Sequence, residues 1–316
     1  MPGKLQPEIL RRSVLGYTGK LREDLLVGGG LGEDAALIKV PDGVLVASSD
    51  PVVGAEKNAG KLLVHINAND VACKGADPAW IIVTLILPEA GGTVLVEKFM
   101  REIHEACSEI GVAIAGGHTE LTDRYKQPVI SATMFGMTSY ELSVKNISDG
   151  DMIIATGHAG LEGMSIIAND RSDLLSEFFS NEDLQVVKSW GENFSILKPA
   201  KILREYACYM HDPTEGGVYG ALFEISQAAN RGIEIYHDDI PVHALTKIAA
   251  ENLNFDPLNL ISSGMLIAVV KPEKIHEAQN ALKAQGINSA IIGKFSGTKK
   301  IFLNTREELW SILARK

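Results

Sequence analysis

Cysteine, aromatic side chains, positive charge and long apolar runs are all in short supply in this sequence of 316 residues. The three cysteines, Cys73, Cys107 and Cys208, are scattered and odd in number. That excludes a disulfide framework or a zinc cluster with paired spacing, and it fits a reducing compartment. No apolar run approaches the ~20 residues that span a bilayer. The first residues also lack the apolar core of a secretion signal, so no membrane contact and a cytoplasmic location are expected. Lys and Arg number 30 against 40 Asp and Glu, a net charge of −10. A surplus of this sign argues against a nucleic-acid or anionic-lipid binder and leaves room only for a local basic pocket. Aromatics are 6% of the chain while hydrophobics are 46%, so the core must be aliphatic, an ordinary α/β composition.

What is present organises around Asn67 to Pro78, Asn-Ala-Asn-Asp-Val-Ala-Cys-Lys-Gly-Ala-Asp-Pro. It closes an apolar segment, Leu62 to Ile66, whose small neighbours Ala59, Gly60, Ala68 and Ala72 suit a helix packed closely on a sheet. Gly75 is the expected helix stop, and Pro78 forbids continuation. Ala79 to Leu87 then reads as a strand buried on both faces. Upstream, Asp42-Gly43 signals a hairpin between the strands Ala35–Val40 and Val44–Ser48. Downstream come a helix over Val94–Gly111, a buried strand over Val112–Ala115 and a strand over Val129–Met137. A polar Asp-Gly-Asp turn between Val144 and Asp151 marks a domain boundary, giving domains over residues 1–148 and 149–316. The second half restarts with a strand at Met152–Thr156, followed by a mostly helical stretch over about 173–209. A helix over Tyr219–Asn230 and strands at Ile233–Tyr236, Leu266–Val270 and Ala290–Phe295 complete it. Strands and helices in both halves predict two α/β (or α+β) domains.

Several stretches carry candidate chemistry, each with a bland alternative. Asn67, Asn69 and Asp70 sit in a greasy helix, where a carboxylate must be paired, hydrogen-bonded or metal-bound. A pair from Asp70 to Lys74, four residues on, is the structural alternative. Gly28 to Asp34 is glycine-rich enough to wrap a phosphate. It lacks the Gly-Lys-Ser/Thr ending of a P-loop and precedes a strand, so a flexible loop is the alternative. Asp34 and Asp50 lie at opposite ends of the hairpin and therefore at one end of the sheet. With Asp70 they would repel unless a divalent cation sits among them, and hard oxygen ligands favour Mg²⁺. Gly116-Gly-His-Thr-Glu is expected at the carboxyl end of a strand, a common ligand position. In His211-Asp-Pro-Thr-Glu-Gly-Gly, Asp212 or Thr214 could serve as helix N-cap, or Gly216 and Gly217 could leave bare N–H groups for an anion. Gly157, Gly160 and Gly163 read as a packing turn.

The order of these motifs resembles the AIR synthase (PurM-like) superfamily, and within it the HypE-like branch. The resemblance rests on Gly-Glu-Asp-Ala-Ala, Ser-Ser-Asp, the Asn-Asp to Ala-Asp-Pro stretch, Gly-Gly-His-Thr, Asp-Pro-Thr-Glu-Gly-Gly and Ser-Ser-Gly-Met-Leu-Ile-Ala. It implies a two-domain fold whose N-terminal domain forms a β-barrel with a second subunit, flanked by helices, and whose C-terminal domain is α/β. It implies ATP and Mg²⁺, with Asp34, Asp50 and Asp70 as metal ligands. Gly32, Asn69, Gly116, Gly117, His118, Thr119, Asp212, Gly216 and Gly217 would line the nucleotide, and Asp70, Asp212 and His118 would serve the chemistry. That chemistry is activation of an acceptor oxygen by the γ-phosphoryl of ATP, mostly by positioning and charge neutralisation.

Three departures qualify the resemblance. The family's aspartate in Gly-Gly-Asp-Thr is His118, and Glu215 stands where HypE proteins carry arginine. HypE proteins end in a cysteine bearing the carboxamide that is dehydrated to a nitrile, whereas these last residues, Ile312-Leu-Ala-Arg-Lys, hold none. The expectation is an ATP-dependent homodimer acting on a small molecule or on a group of a partner protein. A kinase of the thiamin-monophosphate type and a non-catalytic nucleotide-binding assembly factor are the alternatives.

Overall fold

A computed structural model describes residues 7–15, 17, 20, 22–53, 58–192, 194–297 and 303–315. The chain divides into two compact units. The first is built from Arg22–Gly28 and Asp34–Glu141, and the second from Gly29–Glu33 and Leu142–Lys316 together with the short helix α1 (Pro7–Ser13).

In the first unit the strands are β1 (Leu25–Val27), β2 (Ala36–Val40), β3 (Gly43–Val53), β4 (Asp77–Pro88), β5 (Ala113–Thr122) and β6 (Val129–Thr138). They form one sheet in the order β1-β2-β3-β6-β4-β5. Gly43, at φ 146°, makes the β2–β3 turn. The helices are α2 (Ala59–Cys73) and α3 (Gly92–Ile110). Leu63, Val64, Ala68 and Val71 of α2 are fully buried. Gly60 permits the α2–α3 approach, because a Cβ there would stand 2.8 Å from the Phe99 carbonyl oxygen.

The expected barrel is not formed. Among the described residues all pairings in the sheet are antiparallel except β4–β5, and β1 pairs only with β2 while β5 pairs only with β4. The reason is the route of the chain. α3 carries it over to lay β5 parallel on the outer side of β4, so β1 and β5 end as the two edges of an open mixed sheet. Two strand expectations change with it. β4 alternates between buried and open faces, with Trp80 and Ile82 exposed, and β5 is exposed through almost its whole length.

The second unit holds β7 (Met152–Thr156), α4 (Leu161–Asp170), α5 (Ser172–Leu175), α6 (Asn181–Ser189), α7 (Leu197–Leu203), β8 (Ala207–His211) and α8 (Gly217–Ala229). β9 (Ile233–Ile235), α9 (Ala244–Leu253), β10 (Leu266–Val270), α10 (Ile275–Ala284), β11 (Ser289–Phe295) and α11 (Leu309–Leu313) follow. Its sheet runs β8-β10-β7-β11-β9, antiparallel throughout. β10 is buried along all its residues, between β7 and β8. Ile153, Tyr209, Val218, Leu222, Ile225 and Ile267 make the centre of the core. The stretch expected to be helical to Tyr209 instead ends in β8.

Candidate functional site

In the first unit α2 lays its polar residues against β3. Asn67 is fully buried and serves as a pin: its Oδ1 accepts the Asp50 N–H at 3.0 Å, and its Nδ2 donates to the Leu63 carbonyl at 2.9 Å and the Asp50 carbonyl at 3.3 Å. One turn on, Asp70 is 8% exposed and Asn69 fully buried. The Ser48 hydroxyl donates to Asp70 Oδ2 at 2.6 Å and lies 3.2 Å from the Asp34 carbonyl oxygen. A single serine on β3 thus links the segment before β2 to the last turn of α2. Asp50 lies two residues beyond it, with its side chain exposed.

Cys73, which sequence reasoning set aside, is fully buried with Sγ within 4.8 Å of an Asp34 carboxylate oxygen. Its position three residues after Asp70, one helical turn along α2, was the available signal. The carboxylates, hydroxyl and amides gathered here are hard oxygen donors, a set that fits Mg²⁺ and leaves Cys73 as the one soft atom beside it. His65, on the same helix, is 6% exposed, and neither ring nitrogen has a hydrogen-bond partner. Burial holds its pKa below the usual value, so it packs as the neutral imidazole.

Gly116-Gly117-His118-Thr119 lies within β5, opposite Ile82 to Leu85 of β4. Gly117 is obligatory, since a Cβ there would stand 1.9 Å from the Val83 carbonyl oxygen. Gly116 faces open space. His118 is exposed, with Nε2 3.5 Å from the Glu120 carboxylate.

In the second unit Gly32 is buried at φ 71°. Its carbonyl accepts the Tyr209 hydroxyl. Glu33 accepts from the Ser143 hydroxyl at 2.7 Å and the Val144 N–H at 3.2 Å. The loop before β2 is thereby tied down rather than flexible. Asp212, between β8 and α8, is 3% exposed. The helix that follows is capped by Gly216, at φ 86°, with no side-chain cap, so neither Asp212 nor Thr214 is the N-cap. Gly217, at φ 62°, is forced by close packing: a Cβ would meet the Leu258 carbonyl oxygen at 2.5 Å.

The Gly216 N–H, expected to be bare, donates to Glu307 Oε2 at 2.6 Å. Glu307 Oε1 accepts from the Leu309 N–H at 2.9 Å and the Ile261 N–H at 3.2 Å. Ser262, in the motif before β10, accepts the Gly160 N–H at 2.8 Å and so holds the turn at the head of α4. In the first turn of α4, Glu162 is 7% exposed with Oε2 unpartnered, and burial raises its pKa to about 7. Sequence reasoning had no view of Glu162 or Glu307, because their partners lie far along the chain.

Residues 32–138 match the family described as AIR synthase related protein, N-terminal domain, and residues 148–305 match the corresponding C-terminal domain. The chain is 29% identical over 306 residues to a hydrogenase expression/formation protein of Methanocaldococcus jannaschii, covering 92% of this chain and 88% of that one. Among solved structures, HypE in its complex with HypF superposes with a TM-score of 0.72 at 25% identity, over 86% of this chain and 89% of that one. HypE in complex with ATP gives 0.68 at 23% identity, over 92% and 84%. Together the two family matches run through both units, from Gly32 to Thr305, and the chain therefore belongs to the AIR synthase related proteins, similar to the HypE hydrogenase maturation proteins.

Proposed function

We propose that this chain is an ATP- and Mg²⁺-dependent enzyme that activates an acceptor oxygen by taking the γ-phosphoryl group onto it. The observation that carries the reading is the buried Asp70, held on a rigid helix by the Ser48 hydroxyl in a protein similar to HypE. A solved HypE binds ATP, which supports a nucleotide here.

In this reading Asp34, Asp50 and Asp70 of the first unit hold the metal, which when bound neutralises charge on the phosphate oxygens. Ser48 fixes the Asp70 carboxylate so that it need not reorganise, and Asn67 fixes the β3 backbone at Asp50. Asn69, Gly116, Gly117, His118 and Thr119 line the nucleotide, the bare β5 backbone at Gly116 leaving room for a close approach. The acceptor is a small molecule or a group on a partner protein, and the complex of HypE with HypF supports the latter. The enzyme acts in the cytoplasm as a homodimer, for which the exposed strand β5 offers a face.

Thermal melting with and without ATP and Mg²⁺, followed by ADP release, tests the reading. Ligand at ~100 times its dissociation constant adds ~2.7 kcal/mol to a native-state site, a shift visible in the midpoint. Stabilisation with ADP release is expected. Stabilisation without release, with candidate acceptors and partner present, would leave a binding factor, and no stabilisation would end the nucleotide reading.

A further inference from the structure

We propose that Glu162 is a positioning residue that, kept as the neutral acid, leaves the Glu307 carboxylate seated on the Gly216 N–H at the head of α8. The inference goes beyond the ATP reading and does not depend on it.

Three observations carry it. Glu162 is 7% exposed, its Oε2 has no hydrogen-bond partner, and its remaining support comes from the backbone and side chain of Ser263. Burial raises the Glu307 pKa, but three backbone N–H groups, from Gly216, Ile261 and Leu309, act against it, whereas Glu162 has an oxygen with no donor; Glu307 is therefore the member of the pair better held as an anion. Through it the segment before α11 is fastened to α8: the Thr305 carbonyl oxygen is 3.3 Å from where a Gly216 Cβ would stand, and the Glu308 N–H donates to the Asn259 carbonyl at 3.3 Å. The two are joined through one residue: the N–H of Gly163, next to Glu162, donates to the Ile261 carbonyl at 3.0 Å, and the Ile261 N–H donates to Glu307 at 3.2 Å. Two carboxylates so placed in a buried setting cannot both ionise without strain on one seat.

Of the two, Glu162 is the proton holder. Burial and the charge of Glu307 both raise its pKa, although the first turn of α4 favours negative charge. The groups that face the pair are Ser263 and Glu307 around Glu162, and Glu215 beside Glu307; all three carboxyls carry the same sign, so none relieves the others. As pH rises through neutrality Glu162 ionises and repels Glu307. The seat on Gly216 loosens, and the N–H at the positive end of α8 is released.

Amide hydrogen exchange on the full chain, corrected for the intrinsic pH dependence of exchange, tests this without any ligand. In the wild type, opening at Gly216 and Ile261 should increase at least about tenfold between about pH 5.5 and pH 8, while amides in β10 stay protected. In Glu162→Gln, a neutral mimic of the acid, both amides should stay protected across that range. An unchanged wild-type profile, or the same rise in Glu162→Gln, overturns the proposal. Should Glu162→Gln fail to fold, Glu307→Gln removes the repelling charge from the other side. It should show no rise, and a rise equal to that of the wild type would again overturn the proposal.

Discussion

Each unit buries a titratable side chain without full hydrogen bonding, and the two respond to pH in opposite directions. His65 on α2 packs as a neutral base with both ring nitrogens unpartnered. Glu162 in the first turn of α4 packs as a neutral acid with one oxygen unpartnered. Burial penalises the charged form in both cases, but the charged form lies on opposite sides of each titration. The stability contributed by neutral His65 is full above about pH 6.5 and is lost as pH falls. That contributed by neutral Glu162 is full below pH 4.5 and is lost as pH rises towards about 7. Each unit also holds a hydrogen-bonded carboxylate, Asp70 on the Ser48 hydroxyl in the first and Glu307 on three backbone N–H groups in the second. The lesson is that equal burial does not mean equal chemistry: burial keeps the proton off the His65 imidazole and on the Glu162 carboxyl, where the charge of Glu307 adds to the effect.

The widest separation between the units should appear in turnover. Asp70→Asn keeps a hydrogen bond to Ser48 and should leave melting nearly unchanged, yet lower ADP release at least ~100-fold, because charge neutralisation at the phosphates is lost. Retained turnover would remove Asp70 from the chemistry. Next in size is the pH dependence of unfolding. With the Glu162 pKa near 7 against an ordinary 4.5, unfolding free energy should fall by about 3 kcal/mol across that interval. Denaturant midpoints of Glu162→Gln should lack this fall and uncover the opposite slope of His65. Ser48→Ala should cost about 1–3 kcal/mol at neutral pH, since Asp70 loses its short hydrogen bond in a buried place. His65→Leu should flatten the acid limb below about pH 6.5 in a titration of the midpoint. Smallest of all, His118→Gln should change stability by less than ~0.5 kcal/mol, because its contact with Glu120 is exposed. Any larger effect of that variant should appear in turnover, if the role at the nucleotide proposed for His118 holds.

Local chemistry made part of this molecule legible in advance. The Asp42-Gly43 turn, the helix stops at Gly75 and Gly111 and the close packing of α2 each depend on a few neighbouring residues. The motif order carried family membership, and it carried the expectation of a barrel as well, which the open edges β1 and β5 overturn. β8 stayed hidden because Tyr206 to His211 follows a helical stretch, and only pairing with β10 settles it as a strand. Gly216 looked bare because its partner Glu307 lies 91 residues further on. Glu162, between the glycines of the packing turn, carried no expectation, and only the fold reveals that one of its oxygens has no partner. In each miss a long-range contact outweighed the local pattern.

The five residues Gly29 to Glu33 belong to the second unit although the chain around them builds the first. The units are therefore not beads that a single cut separates. A fragment started at Leu142 would keep Tyr209 and Ser143 but lose the Gly32 carbonyl and the Glu33 carboxylate that satisfy them. An exchange of units between relatives would have to carry this small loop along with the distant half, so inheritance in this molecule follows the fold rather than the order of the residues.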